Sequence, residues 1–231
     1  MTYRYETHLH TSPVSACARS TPEEAVRYYH SIGYAGIFIT NHFLDGNIAF
    51  EVRDLPFEER LDFYYRAYTQ AKRIGDEIGI DVFFGVELAY KGTDFLVYGL
   101  DIEWYQSHPE ILEMKKSEEL ALMREAGALV VHAHPFREAK YIDHIRLFPR
   151  AVDGIEVTNA SRTPFENKLA GMYCEEYGLI PFAGSDNHNV AKQRHLAGME
   201  SKRRAKSLED FIAMVRSGEL VPFITDIADE A

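Results

Sequence analysis

The sequence predicts an α/β chain built on a parallel sheet, open or closed into a β/α barrel. Two observations carry this. Short apolar runs alternate with longer amphipathic stretches along the chain, the pattern of repeated strand–helix units. The length of 231 residues is ordinary for one such barrel, and a 46% hydrophobic composition supplies a sizeable core. No repeat, low-complexity tract or linker divides the sequence, so residues 1–231 are expected to form one domain.

The elements follow in order. Residues 3–10 read as a first strand. Thr21-Pro22-Glu23-Glu24 starts a helix: Thr21 can cap, Pro22 suits the first helical position, and Glu24 completes a capping box. That helix runs to about Ser31 and Gly33 stops it. Residues 35–40 (AGIFIT) form a second, buried strand. Residues 41–56 are a long loop, a length that usually signals function. A helix over 57–78 is closed by Gly79, and strands three and four are expected over 81–88 and 94–99. A helix over 109–126 leads to strand five at 128–132. Strand six spans 153–158, a helix 164–177, strand seven 179–183 and a last helix 207–217.

Composition narrows the function. The formal net charge of -11 repels a phosphate backbone and makes nucleic-acid binding unlikely. Cys17 and Cys174 form no CxxC pair, so neither a disulfide framework nor a zinc ribbon is suggested. Residues 1–10 lack an apolar run and do not read as a signal peptide, and no stretch is apolar enough to span a bilayer. A cytoplasmic protein without membrane contact is the expectation.

The chemistry lies in what ends each strand. Strand one ends His8-Leu9-His10, strand two Thr40-Asn41-His42 and strand three Gly85-Val86-Glu87. Strand five ends His132-Ala133-His134-Pro135. Strand six carries Glu156 and Asn159, and Gly184-Ser185-Asp186-Asn187-His188 follows strand seven. In a parallel barrel these ends converge on one face. Strand residues i and i+2 point to the same side, so His8 and His10 can grip one ion together, as can Asp186 and His188. Imidazole suits zinc, iron and manganese, and carboxylates can bridge two ions. An isolated HxH is weak evidence; it is the joint pattern that points to metal. Of His132 and His134, His134 is the better ligand candidate. His30, His108, His144 and His195 read as ordinary surface or core residues, with His144 in a helical segment.

This pattern resembles the PHP family, named for polymerase and histidinol phosphatase. The matching residues are His8-x-His10, Thr40-Asn41-His42, Gly85-x-Glu87, Ala133-His134-Pro135, Glu156-x-x-Asn159 and Gly184-Ser185-Asp186-x-His188, in family order over residues 8–188. The resemblance implies a distorted (β/α)7 TIM-like barrel with two or three divalent ions (Zn, Mn or Fe) and phosphoesterase activity. It implies that His8, His10, Glu87 and Asp186 hold a first metal. Glu87 would bridge to a second on His134, and His42 and His188 would hold a third. The chain departs from the family where an Asp or His often follows the HxH: here the stretch ends at Cys17. Where a fourth-strand His is common, Asp94 and Asp101 stand instead, and Asn41 stands where an Asp often precedes the His.

The expected activity is hydrolysis of a small phosphate ester by metal-activated water, with Asp186 or His188 serving as acid or base. Arg137 and Arg162 follow strand ends and are the candidate phosphate binders; Lys192 and Arg194 are second choices. The competing readings are a nuclease, a metal-dependent amidohydrolase and a non-catalytic metal-binding module.

Overall fold

A computed structural model describes residues 2–226. The elements are β1 (Tyr3–Glu6), α1 (Pro22–Ser31), β2 (Gly36–Ile39), α2 (Phe57–Ile78), β3 (Asp81–Tyr90), β4 (Thr93–Tyr98) and α3 (Ile102–Ser107). They continue with α4 (Lys116–Glu125), β5 (Leu129–Ala133), β6 (Gly154–Asn159), α5 (Pro164–Tyr177), β7 (Ile180–Gly184), β8 (His195–Ser201), α6 (Leu208–Arg216) and β9 (Val221–Asp226). The strands form one sheet in the order β7-β6-β5-β4-β3-β2-β1-β8-β9. Beyond the ends of β1 and β7 the sheet curls onto itself. His10 N donates to Asn187 O over 2.9 Å and Asn187 N to His8 O over 3.2 Å, a parallel bridge at Leu9 and Asn187. Seven strands thus close into a distorted barrel, and β8 and β9 extend it as an antiparallel flap.

The signals read at Thr21 and Gly79 operate, and Thr163 and Gly178, not singled out from the sequence, act in the same way on α5. Thr21 and Thr163 each cap a helix in a reciprocal box with the glutamate three residues on, and Gly79 and Gly178 end α2 and α5 in left-handed conformations. Alternation along the strands sorts the core. Tyr5, Phe38, Tyr98 and Phe182, from four strands, pack with Phe211 of α6; ring centroids of Phe38 and Phe211 are 4.7 Å apart. Ile37 and Ile39 point the other way, onto α1 and α2 with Tyr29 and Ile74. Each such large apolar side chain contributes about 1.5–3 kcal/mol on burial.

Four expectations need correction. The sheet is not all parallel: β4 runs antiparallel to both β3 and β5. Only Lys91 and Gly92 link β3 to β4, both at positive φ (49° and 85°), and a two-residue link makes a hairpin, not a crossover. The helix expected over 109–126 is broken. Asp101 caps α3 through Trp104 N, Pro109 opens a short 3-10 turn at Pro109–Leu112, and α4 starts only at Lys116. His144, expected in a helical segment, lies in the irregular stretch between β5 and β6. β8 and β9 went unpredicted. Pro222 masks β9, which tolerates it because β9 is the edge of the sheet. Among the described residues no helix is long and apolar enough to cross a membrane.

Candidate metal centre

The residues at the strand ends meet at one mouth of the barrel. His8 and His10 follow β1, His42 follows β2, Glu87 is on β3, Asp94 is on β4, His134 follows β5, and Asp186 and His188 follow β7. Glu87 is the hub. Its Oε1 lies 3.1 Å from His8 Nε2 and 3.4 Å from His134 Nε2; its Oε2 lies 3.4 Å from His10 Nε2 and 2.6 Å from His42 Nδ1. Asp186 Oδ1 is 3.5 Å from His8 Nε2 and 3.4 Å from His10 Nε2. Four overlapping sets of three ligand atoms result: His8, His10 and Glu87; His8, His134 and Asp186; Glu87, Asp94 and His134; and His10, His42 and His188. All seven ligand candidates read from the sequence are therefore brought together.

These side chains are nearly all sealed from solvent, yet their facing atoms are unsatisfied. The approach of His42 Nδ1 to Glu87 Oε2 lacks hydrogen-bond geometry, so His8 Nε2, His10 Nε2, His134 Nε2 and both carboxylate oxygens of Glu87 are buried without a hydrogen bond. Orphaned groups of this kind are rare and costly. Three of the histidines have their other ring nitrogen tied back. His8 Nδ1 donates to Glu156 Oε1 over 2.9 Å, His10 Nδ1 to Ser15 Oγ over 3.1 Å and His188 Nδ1 to Asp186 O over 3.0 Å. This is the arrangement of metal-ligating histidines, whose second nitrogen fixes tautomer and orientation. The donor set fits divalent metal. Backbone strain collects here too: His134 and Asp186 have φ of 26° and 52°, conformations that persist at functional sites.

Electrostatics agree. Burial pushes the Glu87 carboxyl up, but His42, His8 and His10 outweigh it and hold the group well below the usual range. Asp186 is likewise penalised by burial yet held ionised, chiefly by His8 and its hydrogen bond with His10. Burial lowers His10, and the neighbouring His188 and His42 lower it further, so it stays neutral.

The centre opens into a cleft of about 730 Å³ lined by His42, Asp94, Asp186 and His188. Arg137 and Arg162 also line it; Arg137 pairs with Asp94 at 3.2 Å and Arg162 reaches Asp186 at 3.8 Å. Of the second choices, Lys192 lines the cleft, whereas Arg194 is exposed and does not. Asp101 is a helix cap, not a site residue. His132 is core, bonded to Thr93 Oγ1 at 2.7 Å and stacked on Phe95. His30 is exposed, His108 stacks on Trp104, and the exposed His144 and His195 pair with Asp143 and Asp226 away from the cluster.

No family model matches the sequence, and no curated protein matches it. Solved structures do. A two-domain protein from Bacteroides vulgatus, described as containing a predicted PHP-like metal-dependent phosphoesterase, is 15% identical with a TM-score of 0.73. The match covers 96% of this chain, which spans 65% of that protein's length. The fold is that of the PHP-like metal-dependent phosphoesterases. PsfC from Pseudomonas syringae is 16% identical, covering 99% of this chain and 93% of its own, at a TM-score of 0.65. An amidohydrolase from Chromobacterium violaceum with bound sulfate and no metal is 13% identical, covering 94% and 97%, at 0.53.

Within this PHP-like fold, two buried carboxylates had no role assigned from sequence. Glu156 holds His8 through Oε1 and accepts from His134 N (2.9 Å) and Asn159 Nδ2 (2.8 Å) through Oε2. Glu6 accepts from His8 N and Ser185 N, both at 2.9 Å, and from Tyr29 OH at 2.7 Å, so it ties β1 to the end of β7. Glu6 stands two residues before the HxH, but only the fold reveals that one of its partners, Ser185, lies 179 residues away in sequence. Asp94 does enter the cluster, 3.9 Å from His134 Nε2. Cys17 Sγ lies 3.2 Å from His42 Nε2, at the rim.

Proposed function

We propose that the protein is a metal-dependent hydrolase of small phosphate esters, using two or three divalent ions of zinc, manganese or iron. The observation that carries this is the set of buried, unsatisfied nitrogen and oxygen atoms converging on Glu87, beside two arginines whose Nε atoms are also buried without partners. His8, His10, Glu87 and Asp186 would hold one ion. His134, with Glu87 and Asp94, would hold a second, and His42 and His188 a third. Bound ions of this kind lower the pKa of water from about 15.7 to about 7 and take up charge on phosphoryl oxygens. Arg137 and Arg162 each offer the free Nε to a phosphoryl group at the cleft floor, with Asp94 holding the Arg137 guanidinium in place. When the third ion is absent, His188, its Nδ1 occupied by Asp186 O, has Nε2 to hold or release a proton; with that ion bound, the Asp186 carboxylate is the base. We further propose that residues 1–231 act as one domain, since a single sheet runs from β1 to β9.

The likeness to an amidohydrolase supports a second reading, attack on a C–N bond, since activated water can attack a carbonyl. The experiment is turnover by the metal-loaded protein on p-nitrophenyl phosphate, sugar phosphates, nucleotides, duplex DNA and a panel of amides. Monoester hydrolysis with inert DNA is expected. Amide turnover with inert esters would move the assignment to the second reading.

A further inference from the structure

The charge balance of the cleft runs against that of the chain. The protein carries 25 Lys and Arg against 36 Asp and Glu, yet Arg53, Arg137, Arg162 and Lys192 all line the cleft. Its three carboxylates are already matched. Asp94 faces Arg137, Asp186 faces Arg162 and the histidines, and Asp45 accepts from the buried Lys116 ammonium at 2.9 Å. Among the described residues, no carboxylate pairs with Arg53 or Lys192.

Arg53 is nonetheless held in place. Its Nε donates to Ile48 O over 3.0 Å, its Nη2 donates to Asn47 Oδ1 over 3.0 Å, and its guanidinium lies 4.0 Å from the centre of the Phe50 ring. All three partners are neutral. They fix the fork without cancelling its charge, so little ordering remains to be done when an anion arrives. Asn47 also lines the cleft. Its Oδ1 faces Arg53, which leaves its amide N–H groups as donors beside the same position. The cleft is of the size that takes a small molecule.

We propose that Arg53, with Lys192, forms a distal anion subsite, and that the substrate is a small phosphate ester bearing a second anionic group, a carboxylate or a second phosphate. This rests on the phosphoesterase reading above. Arg137 and Arg162 take the phosphoryl group to be cleaved; Arg53 and Lys192 take the group at the other end of the molecule. The pairing selects against neutral-tailed esters through affinity.

The test is calorimetric binding of three ligands to the metal-loaded protein: propylphosphonate, 3-phosphonopropionate and propane-1,3-bisphosphonate. They share a phosphonate and chain length and differ in the far end. The two with a second anion should bind about tenfold tighter or more than propylphosphonate. The ligand with the larger ratio identifies the group as carboxylate or phosphate. Arg53→Gln should bring the ratio close to one, and Lys192→Gln should lower it in part. Equal affinities in the wild-type protein, or a ratio that survives both substitutions, overturns the subsite. Binding needs no turnover. A ratio that behaves as expected in a protein that cleaves no phosphate ester upholds the subsite and removes the phosphoesterase reading instead.

Discussion

His8 Nδ1 and Glu156 Oε1 are 2.9 Å apart, both fully buried, and the bond leaves His8 Nε2 aimed at Glu87 and Asp186 with nothing to bond. The other Glu156 oxygen holds the backbone of His134. One carboxylate thus sets the direction of one imidazole and the position of another across β1, β5 and β6. Replacement of Glu156 by Gln keeps the shape and removes the charge. Metal affinity should fall about 10–100-fold, the usual cost of removing such a support. Equilibrium titration with zinc, alongside thermal melting, checks it. Unchanged affinity in the folded variant would show that His8 needs no orienting partner.

Asp186 and His144 should respond very differently to substitution. Asp186→Asn removes a charge that faces His8, His10 and Arg162 and a possible proton acceptor. Loss of activity of about 10²–10⁴-fold is expected, with lower metal content. His144 is 59% exposed and among the described residues pairs with Asp143 and Arg146 alone, so His144→Ala should leave turnover and metal intact. Rates and elemental analysis on both variants decide; the reverse ranking means that the site is misplaced.

Gly184 permits the close approach of β7 to the first histidine. A Cβ there would fall on His8 Cβ and lie 2.8 Å from Glu156 Oε1 and 3.0 Å from Thr7 Oγ1. Gly184→Ala should destabilise the fold by about 1–3 kcal/mol, as overpacking does, and should weaken metal binding at the same time. Denaturant melts and metal titration measure both effects. A variant with normal stability and normal metal affinity would contradict the close packing at this seam.

The two cysteines should differ in reactivity in metal-stripped protein. Burial pushes the Cys17 thiol up, but hydrogen bonds with His188 and His42 outweigh it and bring it down to about 6. Burial alone pushes Cys174 up to about 11. A lowered pKa means thiolate persists above pH 6 and is lost as pH falls through it. Alkylation of Cys17 by iodoacetamide should therefore be nearly flat from pH 8 to 7 and drop about tenfold between pH 7 and 5, while Cys174 stays inert. A midpoint near the ordinary value of about 8.5 would refute the influence of the two histidines.

Much of this protein is written locally. Thr21 and Thr163 announce their helices, Gly79 ends another, and the alternation around Phe38 assigns its two faces, because caps, turns and side-chain periodicity involve residues a few positions apart. The candidate ligand set was legible for the same reason: His8, His10, His42, His134, Asp186 and His188 lie just beyond the ends of strands and Glu87 within β3, and a barrel gathers such positions at one mouth wherever they fall in sequence. What depends on pairing was decided by the tertiary structure. The reversal of β4 came from a two-residue link, and the edge strand β9 was hidden by a proline that an interior strand would exclude. The tasks of Glu6 and Glu156 came from partners on other strands. The distinction between Arg137, which has a carboxylate beside it, and Arg53, which has neutral acceptors only, is invisible in a string of letters. Charge at a residue is a property of its type; whether that charge is already answered depends on which distant groups the fold sets beside it.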